Sequence, residues 1–389
     1  MSQIAVVPVN GTTAFLDFCK VPRLIYKGAK GFAAPLDAER WTLHAAKLNP
    51  HFELVDHAAW LARKDGKLAG RITAQVYKED TVPNGASRLQ FGCFDAIEDE
   101  AVVDALLQSA EAWLGAHGGG VVHGPFSPSI NSECGMLVDG FSATPMIFMP
   151  WNPPYLPALL ERRGYRKARD LISYRYDVTD ADRFDGPSIL ARPEWRDRLK
   201  IRNIDLKALK TEAALIVDIF NDAWSGNWGF VPFTYDEFMS TADSLKYVMP
   251  PDGGFIVELD GAAQAFGIVL PNLHEITADL DGRLLPFGLP RVIARLFNHQ
   301  FTAGRLCLFG IRRSLHRKAA GGAVILAFVE ECRRRSARYK SVKHIEFGWV
   351  LEDNLGMRRP IELAGAKIDK IHRIYEKDIA AQAPRMAAE

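Results

Sequence analysis

Between Arg305 and Asn354 the chain sets down an apolar run, Arg305–Ile311, and then the turn Lys318-Ala-Ala-Gly321-Gly322-Ala323. A long helical stretch, a second apolar run and Asn354 follow. A strand that feeds a glycine-bearing turn opening a helix is a seat for a phosphate. The first N–H groups of a helix have no partner within it, and the dipole favours negative charge there. N–H groups around Gly321, Gly322 and Ala323 would hold a diphosphate, with Arg312, Arg317 and Lys318 as cations for it or for a ribose phosphate. Glu346, alternating with Ile345 and Phe347, and Glu352 at the end of that run are carboxylates able to accept a proton. His316 and His344 are further acid–base groups. Asn354 either orients a ligand amide or caps the helix that begins there.

Elsewhere, Trp224, Trp228, Phe230 and Phe233 crowd around Asn227 and Gly229, a segment that either roofs an apolar channel or packs in the core. Asn131-Ser-Glu133-Cys134-Gly135 reads as a loop of converging polar groups. A carboxylate neighbour raises a thiol's pKa, so Cys134 reads as a packed cysteine despite His123 upstream. Residues 288–301 form an amphipathic helix with Leu289, Val292, Ile293, Leu296 and Phe297 on one face and Arg291, Arg295 and His299 off it. That face suits packing on a sheet, a lid over a long apolar chain, or contact with an anionic membrane surface.

The elements that must position these groups occur twice. Strand–turn–strand signals flank Asp65-Gly66 and Asp260-Gly261, which lie 195 residues apart. The first half continues with strand Leu89–Asp95, helix 101–117, strand Val121–Phe126, helix Tyr155–Arg163 and strand Leu171–Val178. The second half gives strand Arg305–Ile311, helix 321–338, strand His344–Val350, helix 354–363 and strand Ile368–Lys377. Glu161-x-x-Gly164 with Tyr174 matches Glu362-x-x-Gly365 with Tyr375, every pair offset by 201. This predicts a tandem duplication of α/β (α+β) class, mixed sheets flanked by helices, with domains 1–178 and 199–389 joined by a linker at 179–198.

Composition sets the class limits. A net charge of +1 gives no electrostatic support for a nucleic-acid partner. Five scattered cysteines without CxxC or Cys/His spacing argue against a disulfide framework or a metal site. No signal peptide or run of about 20 apolar residues is seen, which predicts a cytoplasmic protein whose membrane contact, if made, is peripheral to the inner membrane.

The order hairpin, strand, glycine turn, helix, strand, helix, strand resembles the GNAT (Gcn5-related N-acetyltransferase) fold, with Lys318-x-x-Gly321-x-Ala323 in the place of its coenzyme A turn. Further segments are similar to a bacterial tandem-GNAT subfamily and to bacterial ceramide synthase-type acyltransferases. They are Gly124-Pro-Phe126, Asn131-x-Glu133-Cys134-Gly135, Trp224-x-x-Asn227-Trp228-Gly229-Phe230, Trp349-x-x-Glu352-x-Asn354 and Arg373-Ile-Tyr375-Glu-Lys377. The resemblance implies an acyl-CoA co-substrate without metal, and an acyl transfer to a small or lipid-like amine, with a sphingoid-type amine as the boldest version. It would make Tyr375 the acid toward the departing thiolate, where the residue alone also reads as a buried tyrosine bonded to backbone. Glu346 or Glu352 would then serve as base, and Asn354 would orient the donor's pantetheine amide or cap its helix. Trp224, Asn227, Trp228, Phe230, Asn131 and Glu133 would meet the acceptor. The matching first-half run, Phe91–Asp95 into Glu98–Glu100, carries carboxylates that would repel a diphosphate, so the donor is expected in the second half. Two other readings stand beside this one. One is a nucleoside triphosphate (dATP-type) pyrophosphohydrolase, using Asp95, Glu98, Asp99 and Glu100 for magnesium; the other is a non-catalytic binding module.

Overall fold

The computed structural model describes residues 3–178, 188–245, 248–316 and 318–382. The first half supplies strands β1 (Ile4–Pro8), β2 (Val55–Lys64), β3 (Lys67–Tyr77), β4 (Leu89–Ala96), β5 (Gly120–Gly124), β6 (Phe126–Ser127), β7 (Glu133–Cys134), β8 (Met136–Asp139) and β9 (Arg166–Asp177). Its helices are α1 (Gly11–Ile25), α2 (Asp37–His44), α3 (Glu100–Ala116) and α4 (Tyr155–Arg162). The second half supplies β10 (Leu199–Asn203), β11 (Gly254–Leu259), β12 (Ala262–Pro271), β13 (Ala303–Ile311), β14 (His344–Leu351) and β15 (Lys367–Ile379). Its helices are α5 (Leu209–Trp224), α6 (Tyr235–Leu245), α7 (Leu273–Thr277), α8 (Gly288–Phe297), α9 (Ala319–Arg338) and α10 (Leu355–Leu363).

The long strands form one mixed sheet in the order β1-β2-β3-β4-β5-β15-β9-β14-β13-β12-β11-β10, with β8 also pairing to β15. The order is the same read from either edge, with a pseudo-dyad between β15 and β9. Each half makes an antiparallel meander and then one parallel pair, β4 with β5 and β13 with β14. The hairpins turn where their sequence requires. Asp65 and Asp260 have φ of 50° and 53°, and the glycines that follow have 79° and 80°, the left-handed pair of a type I′ turn.

The last strand of each half crosses over. β15 pairs with β5 of the first half, and β9 pairs with β14 of the second. The matched tyrosines and glutamates follow. Tyr375 Oη donates to Glu161 at 2.9 Å and Tyr174 Oη donates to Glu362 at 2.7 Å, so each bond joins the two halves. The apolar core of the first half accordingly includes Tyr375, and that of the second includes Tyr174 and Tyr176. The proposed linker 179–198 lies partly outside the described residues, and its remainder holds a short turn at Ile189–Ala191.

Candidate functional site

β13 and β14 are in register only from Ala303 and His344 to Leu306 and Phe347. Beyond that they part, helped by a bulge at Cys307 against β12 and another in β14 against β9, where Gly348 has φ of 132°. The gap is a cleft of about 430 Å³ walled by Phe309, Gly310, Trp349 and Val350, with Asn354, Arg313 and His316 also lining it. Helix α9 reaches it through Ile325, and His316, three residues before the helix begins, lines it as well. Gly322 N–H already closes onto Lys318 O at 3.2 Å, so the N–H groups left outside the helical ladder are those of Ala319, Ala320 and Gly321. The helix begins two residues earlier than its sequence suggests, and its N-cap Lys318 provides no side-chain cap. Gly321 is a packing glycine, since a Cβ there would lie 2.1 Å from Leu315 O. Gly322 faces open space, and Ala323 is buried in the core.

The first half shows what closes such a gap. β4 and β5 pair only at Leu89–Val122 and Gln90–His123. The chain then turns back over β4: a Cβ on Gly92 would meet Phe126 O at 1.6 Å, and Cys93 N–H donates to Ser127 Oγ at 2.9 Å. Helix α3 has its own cap, because Asp99 accepts from Ala101 and Val102 N–H at 3.0 and 3.2 Å. Asp99 also pairs with Lys64, and Asp95 pairs with Arg71 at 2.7 Å. Two of the four carboxylates offered for magnesium are therefore committed within the fold. The asymmetry between halves comes less from repulsion by acids than from a filled gap and a capped helix.

A second cavity, about 180 Å³ and mostly apolar, adjoins the cleft, sharing Trp224, Asn227, Phe309 and Trp349 with it. Its walls come from α5 and α6 and from the loop carrying Trp228 and Phe230. Asn131 and Ser132 reach it from the first half, and Arg305 and Cys307 from β13. Trp224 Nε1 donates to Phe309 O at 2.8 Å, which fixes the indole between the two spaces. Burial raises the Cys307 thiol to about 12, so it lines the wall as a neutral group.

Of the acceptor residues expected from sequence, Trp224, Asn227, Trp228, Phe230 and Asn131 meet at this cavity, and Glu133 does not. Glu133 is clamped by Arg40 at 2.5 and 2.8 Å, beside a smaller polar cavity. The catalytic candidates disperse. Tyr375 lies in the first-half core, and burial first, then Glu161, raises its phenol further above the usual range. Glu346 is 1 % exposed and ion-paired to Arg305 at 3.2 Å and Lys370 at 2.5 Å, and it lines neither the cleft nor the adjoining cavity. Glu352 stitches β14 to β9, accepting from Asp170 N–H at 3.1 Å and pairing with Lys167 at 2.6 Å. Asn354 does line the cleft, and its Oδ1 accepts from Met357 N–H at 3.3 Å as the cap of α10. His316 lines the cleft, whereas His344 is buried and held neutral by desolvation.

The cations also redistribute. Arg312 turns away to Asp218 at 2.5 Å and Ala263 O at 3.1 Å, and Arg317 lies outside the described residues. Arg313 takes its place at the cleft, steadied by Ser225 Oγ at 2.8 Å. Sequence reasoning passed over Arg313 and helix α5, although the stripe Leu209, Ala213, Ile216, Phe220 and Trp224 at helical spacing signals α5. The Cys134 thiol is raised by burial, as expected for a packed cysteine.

No family model matches the chain. It is 37% identical over 370 residues to the protein YghO of Escherichia coli K12, covering 95% of this chain and 93% of that one. It is 34% identical over 380 residues to the bacterial ceramide synthase of Caulobacter vibrioides, covering 97% and 98%. Among solved structures, a tandem GNAT protein from the clavulanic acid biosynthesis pathway superposes with a TM-score of 0.54 at 12% identity, covering 97% and 98% of the two chains. A probable N-acyltransferase from Enterococcus faecalis gives a TM-score of 0.53 at 10% identity, covering 98% of this chain and 74% of that one. These structures share the fold, and the sequence relatives share nearly the whole length. The chain belongs to one family with YghO and bacterial ceramide synthase, and its fold is that of the tandem GNAT proteins.

Proposed function

We propose that the second half binds an acyl-CoA in the cleft between β13 and β14 and passes the acyl group to an amine held at the adjoining cavity. One observation supports this: α9, whose Ile325 lines the unfilled gap, has no side-chain cap, where the first half has Asp99 as a cap and Phe126 across the strand. The diphosphate would take the N–H groups of Ala319, Ala320 and Gly321 with Arg313 nearby. In the transfer the amine nitrogen attacks the thioester carbonyl, the C–S bond breaks and the thiolate leaves. The proton lost by nitrogen passes to a base and then to sulfur. Among the described residues lining the cleft, His316 is the group able to carry that proton, directly or through water. Fixing the two reactants in adjoining spaces would supply much of the rate.

The apolar walls of the cavity, among them Phe220, Phe233 and Phe238, support a long acyl chain or a long-chain amine. The name of the Caulobacter relative supports a sphingoid-type amine within that class. No helix among the described residues is long and apolar enough to cross a membrane. We place the reaction in the cytoplasm, where acyl-CoA is available. The test is release of free coenzyme A thiol when long-chain acyl-CoA and sphinganine are supplied together. Release that needs both is expected. No release at any chain length, or magnesium-dependent pyrophosphate release from dATP, would sink the reading.

A further inference from the structure

Helix α8 shows solvent the side that an amphipathic helix ordinarily buries. Val292 is buried and packs on the second-half core. Leu289, Ile293 and Phe297, one row at successive i,i+4 steps, are 45 %, 46 % and 80 % exposed. The turn leading into the helix adds Leu285 at 79 % and Phe287 at 71 %. Exposed apolar residues scattered singly need no partner, but five such side chains between 285 and 297 make a patch.

The charges around it have one sign to spare. Arg283 and Arg291 are exposed, and neither forms an ion pair among the described residues. The acids on the approach are already paired, Asp279 with Arg295 at 2.5 Å and Asp281 with Lys27 at 3.2 Å. We propose that this face docks on an anionic lipid bilayer. The row Leu289, Ile293 and Phe297 would enter the boundary between headgroups and acyl chains, with Arg283 and Arg291 on lipid phosphates. A second copy of this chain is the competing occupant. A two-fold pairing through this face would bring Arg283 and Arg291 of both copies into one contact with no unpaired acid of the patch to receive them. The bilayer supplies that negative charge. This surface is separate from the cleft and needs no acyl transfer to be real.

The test is flotation of the full chain with vesicles of phosphatidylcholine alone or mixed with phosphatidylglycerol. The protein is expected to float with the anionic vesicles, less so as salt rises. Ile293→Asp with Phe297→Asp should cut the bound fraction by about tenfold, since the apolar row supplies the insertion. Arg283→Glu with Arg291→Glu should remove the preference for anionic lipid, and this pair tests the surface independently if the first variant does not fold. Acyl-CoA binding, measured on the same preparations, should be unchanged in both. Wild type that stays in the soluble fraction, or variants that float as wild type does, would overturn the proposal. So would a wild-type dimer in sedimentation velocity that the Ile293/Phe297 variant dissociates.

Discussion

Glu237 illustrates how a single residue reports on its surroundings. It closes a capping box at the start of α6: its N–H donates to Thr234 Oγ1 at 3.1 Å, and its carboxyl meets Thr234 N–H and the Asn131 side chain. Among the described residues no cation pairs with it, and burial raises the carboxyl from 4.5 to about 7. The native state therefore holds a proton that the unfolded chain has released between those two values. Stability falls as pH rises through that window and is level above it. Glu237→Gln should keep the cap and remove the slope, gaining up to about 3 kcal/mol relative to wild type at pH 8 and nothing at pH 4. Urea unfolding at both pH values checks this, and equal gains at both would contradict it. The two adjacent glycines separate packing from binding in the same way. Gly321→Ala puts a methyl against Leu315 O and should cost about 1–3 kcal/mol in thermal or urea unfolding, while Gly322→Ala, in open space, should not destabilise.

At the scale of elements, the exchanged strands decide which tyrosine belongs to which half. Tyr375→Phe should lose about 1 kcal/mol of stability through the bond to Glu161 and leave turnover within about twofold of wild type. A fall of about a hundredfold in turnover would restore it as an acid at the reacting centre. The repeat itself was legible, in the Asp-Gly turns and in the matched Glu–Tyr pairs. The exchange was not, because Glu161 and Glu362 are chemically identical partners for Tyr174 or Tyr375, and spacing alone cannot tell a bond within a half from one across halves. Glu346 misled for a related reason. β14 is buried on both faces, so alternation along it marks no exposed side on which a carboxylate could meet substrate. The strand-to-helix junction was legible because it is local, but its glycines lie within the first turn of α9 and not in a turn before it. The cleft-lining Arg313 was missed because only the splay of β13 from β14 distinguishes it from Arg312.

For the molecule as a whole, neither half closes its own sheet. The first half alone would leave the edge of β5 and the slot of Tyr375 open. Residues 1–178 expressed alone should lack a cooperative unfolding transition, and coexpression with residues 188–389 should restore it. A cooperative transition in the isolated fragment would contradict this. Strand exchange also ties the cleft to the first half, since β9 braces β14 and Asn131 reaches the adjoining cavity. The central claim, that this chain carries one acyl-CoA site and carries it in the second half, is tested most directly by calorimetric titration of acyl-CoA. The account predicts one site per chain, abolished by Gly322→Glu at the uncapped helix start and unaffected by Asp99→Asn, which keeps a capping side chain on α3. Absence of binding to wild type, or equal binding to Gly322→Glu, would contradict it.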